Sequence, residues 1–113
     1  MMLFVPGKGG QDVRDLTRVP TLEELQEVVG GDIEAVQGFL SVQFGTATVR
    51  CVALCNENGK HEHLPINMAA TLAWERALRR IGIELRDVSG APKEWLVGTV
   101  VVLFGDREFM EAL

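Results

Sequence analysis

Two histidines, His61 and His63, stand two residues apart in "NENGKHEHLPIN", just past a glycine-bearing turn. On a strand, both imidazoles would project from one face about 7 Å apart, a spacing at which two rings can share a metal ion. Zinc needs at least a third protein ligand, and the chain has no third histidine. Glu57, Cys55 across a hairpin, or Glu62 from the opposite face would have to supply it. A solvated hairpin arm is the simpler reading. His61 and His63 are therefore kept only as candidate metal ligands, and no cofactor is expected.

Other residues that could do chemistry are weighed in the same way. Cys51 and Cys55 bracket "CVALC". On one strand they would share a face but lie roughly 13 Å apart, beyond disulfide reach, so two core thiols are expected. Ser41 and Ser89 lack the Gly-x-Ser-x-Gly setting of an activated nucleophile. "PGKGGQD" has a lysine among glycines but no Ser or Thr and no helix start after it, so it reads as a turn and not as a phosphate loop. Glu23, Glu24 and Glu27 cluster, yet two of them fall in the first turn of a helix, where the dipole favours acids. Glu34 differs: it follows a helix-ending glycine pair at the start of a strand, a position that can face a pocket. Arg76, Arg79 and Arg80 form a basic row near a helix C-terminus, where cations are favoured. With Lys60 and Asn67 they are the candidate contacts for a small anionic ligand.

These side chains must be positioned by a small set of elements. "MMLFVPG" reads as a first strand, and "VRDLTRV" as either a second strand or a loop. "TLEELQEVVGG" predicts a helix. Thr21 and Glu24 form a capping box, Leu22, Leu25, Val28 and Val29 recur at helical spacing, and Gly30-Gly31 stops it. From Asp32 the apolar period becomes two. "DIEAVQ" and "GFLSVQF" read as strands, and "VRCVALC", apolar at nearly every position, as an inner strand buried on both faces. Short connections between these predict antiparallel pairing in a meander. Asn67 should cap a second helix that ends at Gly82, with Ala70, Trp74, Ala77, Leu78 and Ile81 facing inward. "IELRDV" is a candidate short strand and "WLVGTVVVLFG" the central one, with Gly98 marking a bulge or a close backbone approach. Asp106 should cap a terminal helix docked through Phe109.

The 113 residues form one expected domain, 1–113, with 47% apolar and 24% charged residues, which is an ordinary globular balance. A net charge of -5 argues against phosphate-backbone binding, so nucleic acid is not expected as a partner. No apolar run approaches the roughly 20 residues of a membrane span. Pro6 interrupts the first one too early for a secretory signal, so the expected compartment is the cytoplasm.

Three segments, "TLEELQEVVGGDIEAV", "CNENGKHEHLPINMAAT" and "LVGTVVVLFGD", together resemble the family catalogued as domain of unknown function 3846, small proteins of phages, plasmids and bacteria. The resemblance runs over about residues 20–106. It is carried by Val29, Gly30, Gly31, Ile33, Glu34, Asn56, Gly59, Lys60, Leu64, Pro65, Asn67, Ala70, Thr71 and Gly98 with the valines after it. Asp32 departs from the aromatic or apolar residue frequent there. The His-Glu-His stretch is not a family hallmark, which counts against a metal site. The resemblance implies a setting on mobile elements and no activity.

The expected fold is α+β: a small, mainly antiparallel sheet, including the strands near Ile33, Val49 and Val100, with two principal helices packed on one face and a short C-terminal helix. Exposed strand edges favour a homodimer. The expected function is that of a non-enzymatic accessory protein that binds and modulates a host protein or complex, for example against a defence system. Sequestration of a small molecule or nucleotide signal is the alternative, and a metal-dependent enzyme built on His61 and His63 is the third reading.

Overall fold

The computed structural model describes residues 1–7 and 10–113, so the turn expected over "PGKGGQD" falls at residues 8 and 9 outside the described residues. A five-stranded antiparallel sheet has the order β2-β1-β7-β6-β3, from β1 (Met2–Phe4), β2 (Gln11–Val13), β3 (Ile33–Ala35), β6 (Val52–Asn56) and β7 (Val100–Leu103). A separate hairpin pairs β4 (Ser41–Phe44) with β5 (Ala47–Arg50). Helices α1 (Leu22–Val29), α2 (Met68–Arg80) and α3 (Arg107–Glu111) complete the fold. This is the α+β, mainly antiparallel architecture expected.

The two principal helices do not share a face. Strand alternation sends Met2, Phe4, Ala53, Val100 and Val102 to one side, where they pack with Ala70 and Ala77 of α2 and with Phe39 and Val42. Leu3, Leu54, Val101 and Leu103 go to the other side and pack with Leu25 and Val29 of α1. The cause is visible in β7, whose four residues are each at most 1% exposed. A strand apolar at every position must be covered twice, and one helix goes to each face. Burial of each such Val or Leu side chain contributes about 1.5–3 kcal/mol.

The helix ends follow their local signals. Thr21 Oγ1 accepts from the Glu24 amide at 3.2 Å, and the Glu24 carboxylate accepts from the Thr21 amide at 3.2 Å. Gly30 closes α1 at φ 79°, a left-handed conformation that costs glycine little. Asp106 accepts from the Phe109 amide at 2.9 Å to start α3, and Phe109 packs on the α1 side of the core.

Several strand expectations are corrected. "VRCVALC" is not one inner strand: it breaks at Cys51, whose amide donates to Leu40 O at 3.0 Å. Val49 thus belongs to the hairpin and not to the main sheet. The order is not a meander, because β7, late in sequence, inserts between β1 and β6. In "VRDLTRV" only Val13 is in a strand, and "IELRDV" forms a single bridge, Arg86 to Pro92, around a turn held by Asp87. Ile81, expected inward, is 47% exposed.

Candidate functional site

Both tryptophans of the chain line one cleft of about 580 Å³ at the β3 edge of the sheet. Trp74 comes from α2, and its indole is set by a 2.9 Å hydrogen bond from Nε1 to Gln37 O. Trp95 and Glu94 come from the loop before β7, Glu34 from β3, Cys55 from β6, and Glu57, Lys60 and His61 from the turn after β6.

That turn is built by Asn56, which is 6% exposed. Its Oδ1 accepts from the Asn58 amide at 2.8 Å, and its Nδ2 donates to Val29 O at 3.4 Å. The Gly59 amide then donates to Asn56 O at 3.2 Å and the Leu64 amide to Gly59 O at 3.0 Å. A Cβ at Gly59 would stand 2.8 Å from Val97 Cγ2, so any side chain there would have to displace Val97. The opposite wall is fixed from α2: Thr71 Oγ1 accepts from the Leu96 amide at 2.9 Å, and the Asn67 amide donates to Leu96 O at 2.8 Å. Trp95 is thereby held by its neighbour's backbone while the residue stays 39% exposed.

Lys60 joins the two walls. Its Nζ lies 4.9 Å from the centroid of the Trp95 ring and forms an ion pair with Glu94. Both charged groups are about half exposed, at 48% and 49%. Such a pair contributes at most about 1 kcal/mol, and the exposed cation–π contact about 0.5–1 kcal/mol. The lining carries three carboxylates, Glu34, Glu57 and Glu94, against the one ammonium of Lys60, with His61 beside them. Burial raises the Cys55 thiol above its ordinary value; Glu34 pushes the same way, and Lys60 opposes them. Cys55 is therefore held as a thiol near neutral pH, the unreactive form. Aromatic faces with excess carboxylate suit a cation.

Among the described residues the cleft opens along an unpaired strand edge. Val36 donates its amide to Ala53 O at 2.9 Å, and Glu57 to Asp32 O at 2.8 Å. Antiparallel pairs alternate between hydrogen-bonded and open, so Glu34 bonds inward to its partner Cys55. Ile33 and Ala35 then turn their amides and carbonyls outward, and β3 is the last strand of the sheet on that side.

The residues singled out from sequence disperse. Glu34, Lys60 and His61 meet at the cleft. His61 and His63 lie on turns rather than a strand, and the segment leads to α2 rather than back along a hairpin; His63 has φ 57°. Among the described residues no group of three His, Cys, Asp or Glu side chains is placed to hold a metal ion. Asn67 is 1% exposed and structural: Nδ2 donates to Phe4 O and, at 2.7 Å, to Gly98 O, while Oδ1 accepts from the Ala70 amide. Arg79 pairs with Glu84 at 3.4 Å and Glu75 at 3.7 Å. Arg76 and Arg80 line a different hollow of about 410 Å³ with Gln11 and Gln43, and Arg80 donates to Ser41 Oγ at 3.0 Å. Sequence reasoning missed Trp74 and Trp95 as site residues. Each stood beside an apolar pattern that accounted for it as core, and only the fold brings them together.

Fold and cleft define a small α+β domain, a five-stranded antiparallel sheet between two helices with an open edge beside an aromatic cleft. The chain belongs to the family described as domain of unknown function DUF3846, whose model matches residues 1–111. The match is wider than the resemblance over 20–106 and takes in β1 and β2. No curated protein and no solved structure matches the chain. No helix of the described residues is long and apolar enough to cross a membrane.

Proposed function

We propose that the protein is a non-enzymatic binding module of a phage or mobile element, acting in the cytoplasm by seating a segment of a host protein at the two-tryptophan cleft and so modulating that protein. The observation that carries this reading is the convergence of both tryptophans on one cleft beside the outward amides of Ile33 and Ala35. Exposed tryptophan surface is enriched where proteins meet, and a free sheet edge accepts an extended segment through main-chain hydrogen bonds. The mobile-element setting comes from the family resemblance. A photoreactive residue placed at Ala35 tests the reading in host cells. It should cross-link a host protein that the same residue at exposed Val88 does not, and Trp95→Ala should abolish that product. Identical products from both positions, or products that survive Trp95→Ala, overturn it.

A second reading has its own observation. The Arg76–Arg80 hollow, with two glutamines, has the donors for a small anion such as a nucleotide phosphate. Native mass spectrometry of freshly purified protein should then show extra mass that vanishes on denaturation and is lost in an Arg76→Ala, Arg80→Ala double variant. The same spectrum counts subunits and so tests the expected homodimer.

A further inference from the structure

We infer that the cleft takes the side chain of an arginine or lysine carried by an extended segment of the partner protein, paired as an added strand along β3, with Lys60 as the internal cation it displaces. The inference rests on the binding reading above and names the chemistry of what binds.

The register makes the assignment. A strand added outside β3 would bond to the outward groups of Ile33 and Ala35, which leaves its residue opposite Glu34 in an open pair. Side chains approach most closely in open pairs and lie on the same face of the sheet. That face is the α2 side, because Glu34 pairs with Cys55 and Cys55 packs in the α2-side core. The partner's residue opposite Glu34 is therefore aimed into the cleft, beside the Glu34 carboxylate and toward the tryptophans.

The lining selects a cation at that position. Three carboxylates face one ammonium, and that ammonium already lies over the Trp95 ring at 4.9 Å while paired with Glu94. Lys60 thus occupies, from within the chain, the kind of seat a partner's cation would take. Its pair with Glu94 is half exposed on both sides, so it competes with an incoming cation without closing the site. An anionic or apolar side chain would leave Glu34 and Glu57 uncompensated.

The test uses the pentapeptide acetyl-Val-Thr-Arg-Thr-Val-amide and its Gln-centred twin, titrated into isotopically labelled protein. The two indole N–H signals report on the cleft directly, since both tryptophans line it. The Arg peptide should shift the Trp95 indole and the Ile33 and Ala35 amides, and bind about tenfold tighter than the Gln peptide. Glu34→Gln should weaken the Arg peptide about fivefold and leave the Gln peptide unchanged. Lys60→Ala should tighten the Arg peptide about threefold by removing the internal competitor, whereas a purely structural Lys60 predicts weaker binding. Equal binding of the two peptides, no tightening in Lys60→Ala, or no Trp95 shift up to the solubility limit of the Arg peptide each overturns the inference. The cross-link from Ala35 is indifferent to the central side chain of a peptide. A positive cross-link with equal peptides removes cation selectivity alone, while loss of the cross-link removes the binding reading itself.

Discussion

The carboxylate of Glu75 lies 2.6 Å from Nε of Arg86, with the acid 7% exposed and the guanidinium 34%. Glu75 is on α2 and Arg86 on the loop that runs to Glu94 and Trp95, so this pair fastens one wall of the cleft to the helix beneath it. Arg86 also donates to Gly90 O at 2.7 Å, and the Lys93 amide donates to Leu85 O at 2.8 Å. The loop is short of regular structure but not of bonds.

Arg86→Ala should therefore destabilise the protein by about 2–3 kcal/mol, because it strands a buried carboxylate whose remaining partner, Arg79, is 3.7 Å away. The partial exposure of Arg86 keeps the cost toward the low end. Glu75→Gln with Arg86→Met should recover most of the loss, since it removes both charges together. Chemical denaturation of the three proteins checks this. Trp95 should also report it: its emission should shift to the red in Arg86→Ala at denaturant concentrations where the fold persists, as the loop loosens first.

Asn67 gives a sharper test of structure against ligand binding. Its carboxamide donates to Phe4 O and Gly98 O and accepts from the Ala70 amide, so it ties β1, the approach to β7 and the start of α2. Asn67→Asp keeps the capping acceptor but cannot donate, so the buried Phe4 and Gly98 carbonyls lose the two bonds from its amide. We expect Asn67→Asp to cost about 2–4 kcal/mol and Asn67→Ala a similar amount. A ligand contact would instead show in Asn67→Asp as lost binding at unchanged stability.

Much of this fold was legible in short-range patterns. The capping box at Thr21 and Glu24, the Asn67 cap and the four-residue apolar run of β7 each rest on residues a few positions apart, and the structure has all of them. What was not legible depends on long-range pairing. The break at Cys51 arises because Leu40 takes its amide, eleven residues earlier in the chain. The place of β7 between β1 and β6, both far earlier in the chain, is shown by no local window. The same limit applies to the site. Glu34 and Lys60 could be suspected singly, but their meeting with Trp74, Glu94 and Trp95 is created by the sheet order.

Acid should act on α1 in a stated direction. Hydrogen bonds from the Arg18 guanidinium, and then from Thr21, hold the Glu24 carboxyl down to about 2, against an ordinary value of 4.5. A carboxyl depressed by folding contributes stability that is present above its unfolded value and lost as pH falls through the folded one. The contribution of Glu24 should thus be complete above pH 4.5 and fade toward pH 2. Glu24→Gln keeps a capping acceptor and should flatten this part of the stability profile. Thr21→Ala should lower stability by about 1 kcal/mol at neutral pH. Thermal melts between pH 2 and 7 read both, and an unchanged acid slope in Glu24→Gln would contradict the assignment.

The two thiols should separate in reactivity. Cys51 is 5% exposed, and burial pushes its thiol up to about 12. Cys55, half-buried in the cleft, is raised as well, by burial first and then by Glu34. Alkylation requires the thiolate, so both should react more slowly at pH 8 than a free peptide thiol, and Cys51 only on unfolding. Mass spectrometry of iodoacetamide-treated protein should find the first adduct on Cys55. Glu34→Gln should speed that adduct by removing the like charge beside it, and leave Cys51 as slow as before. The Arg-centred pentapeptide should protect Cys55 in the wild type, because the cleft that holds the cation is the path by which the reagent reaches the sulfur.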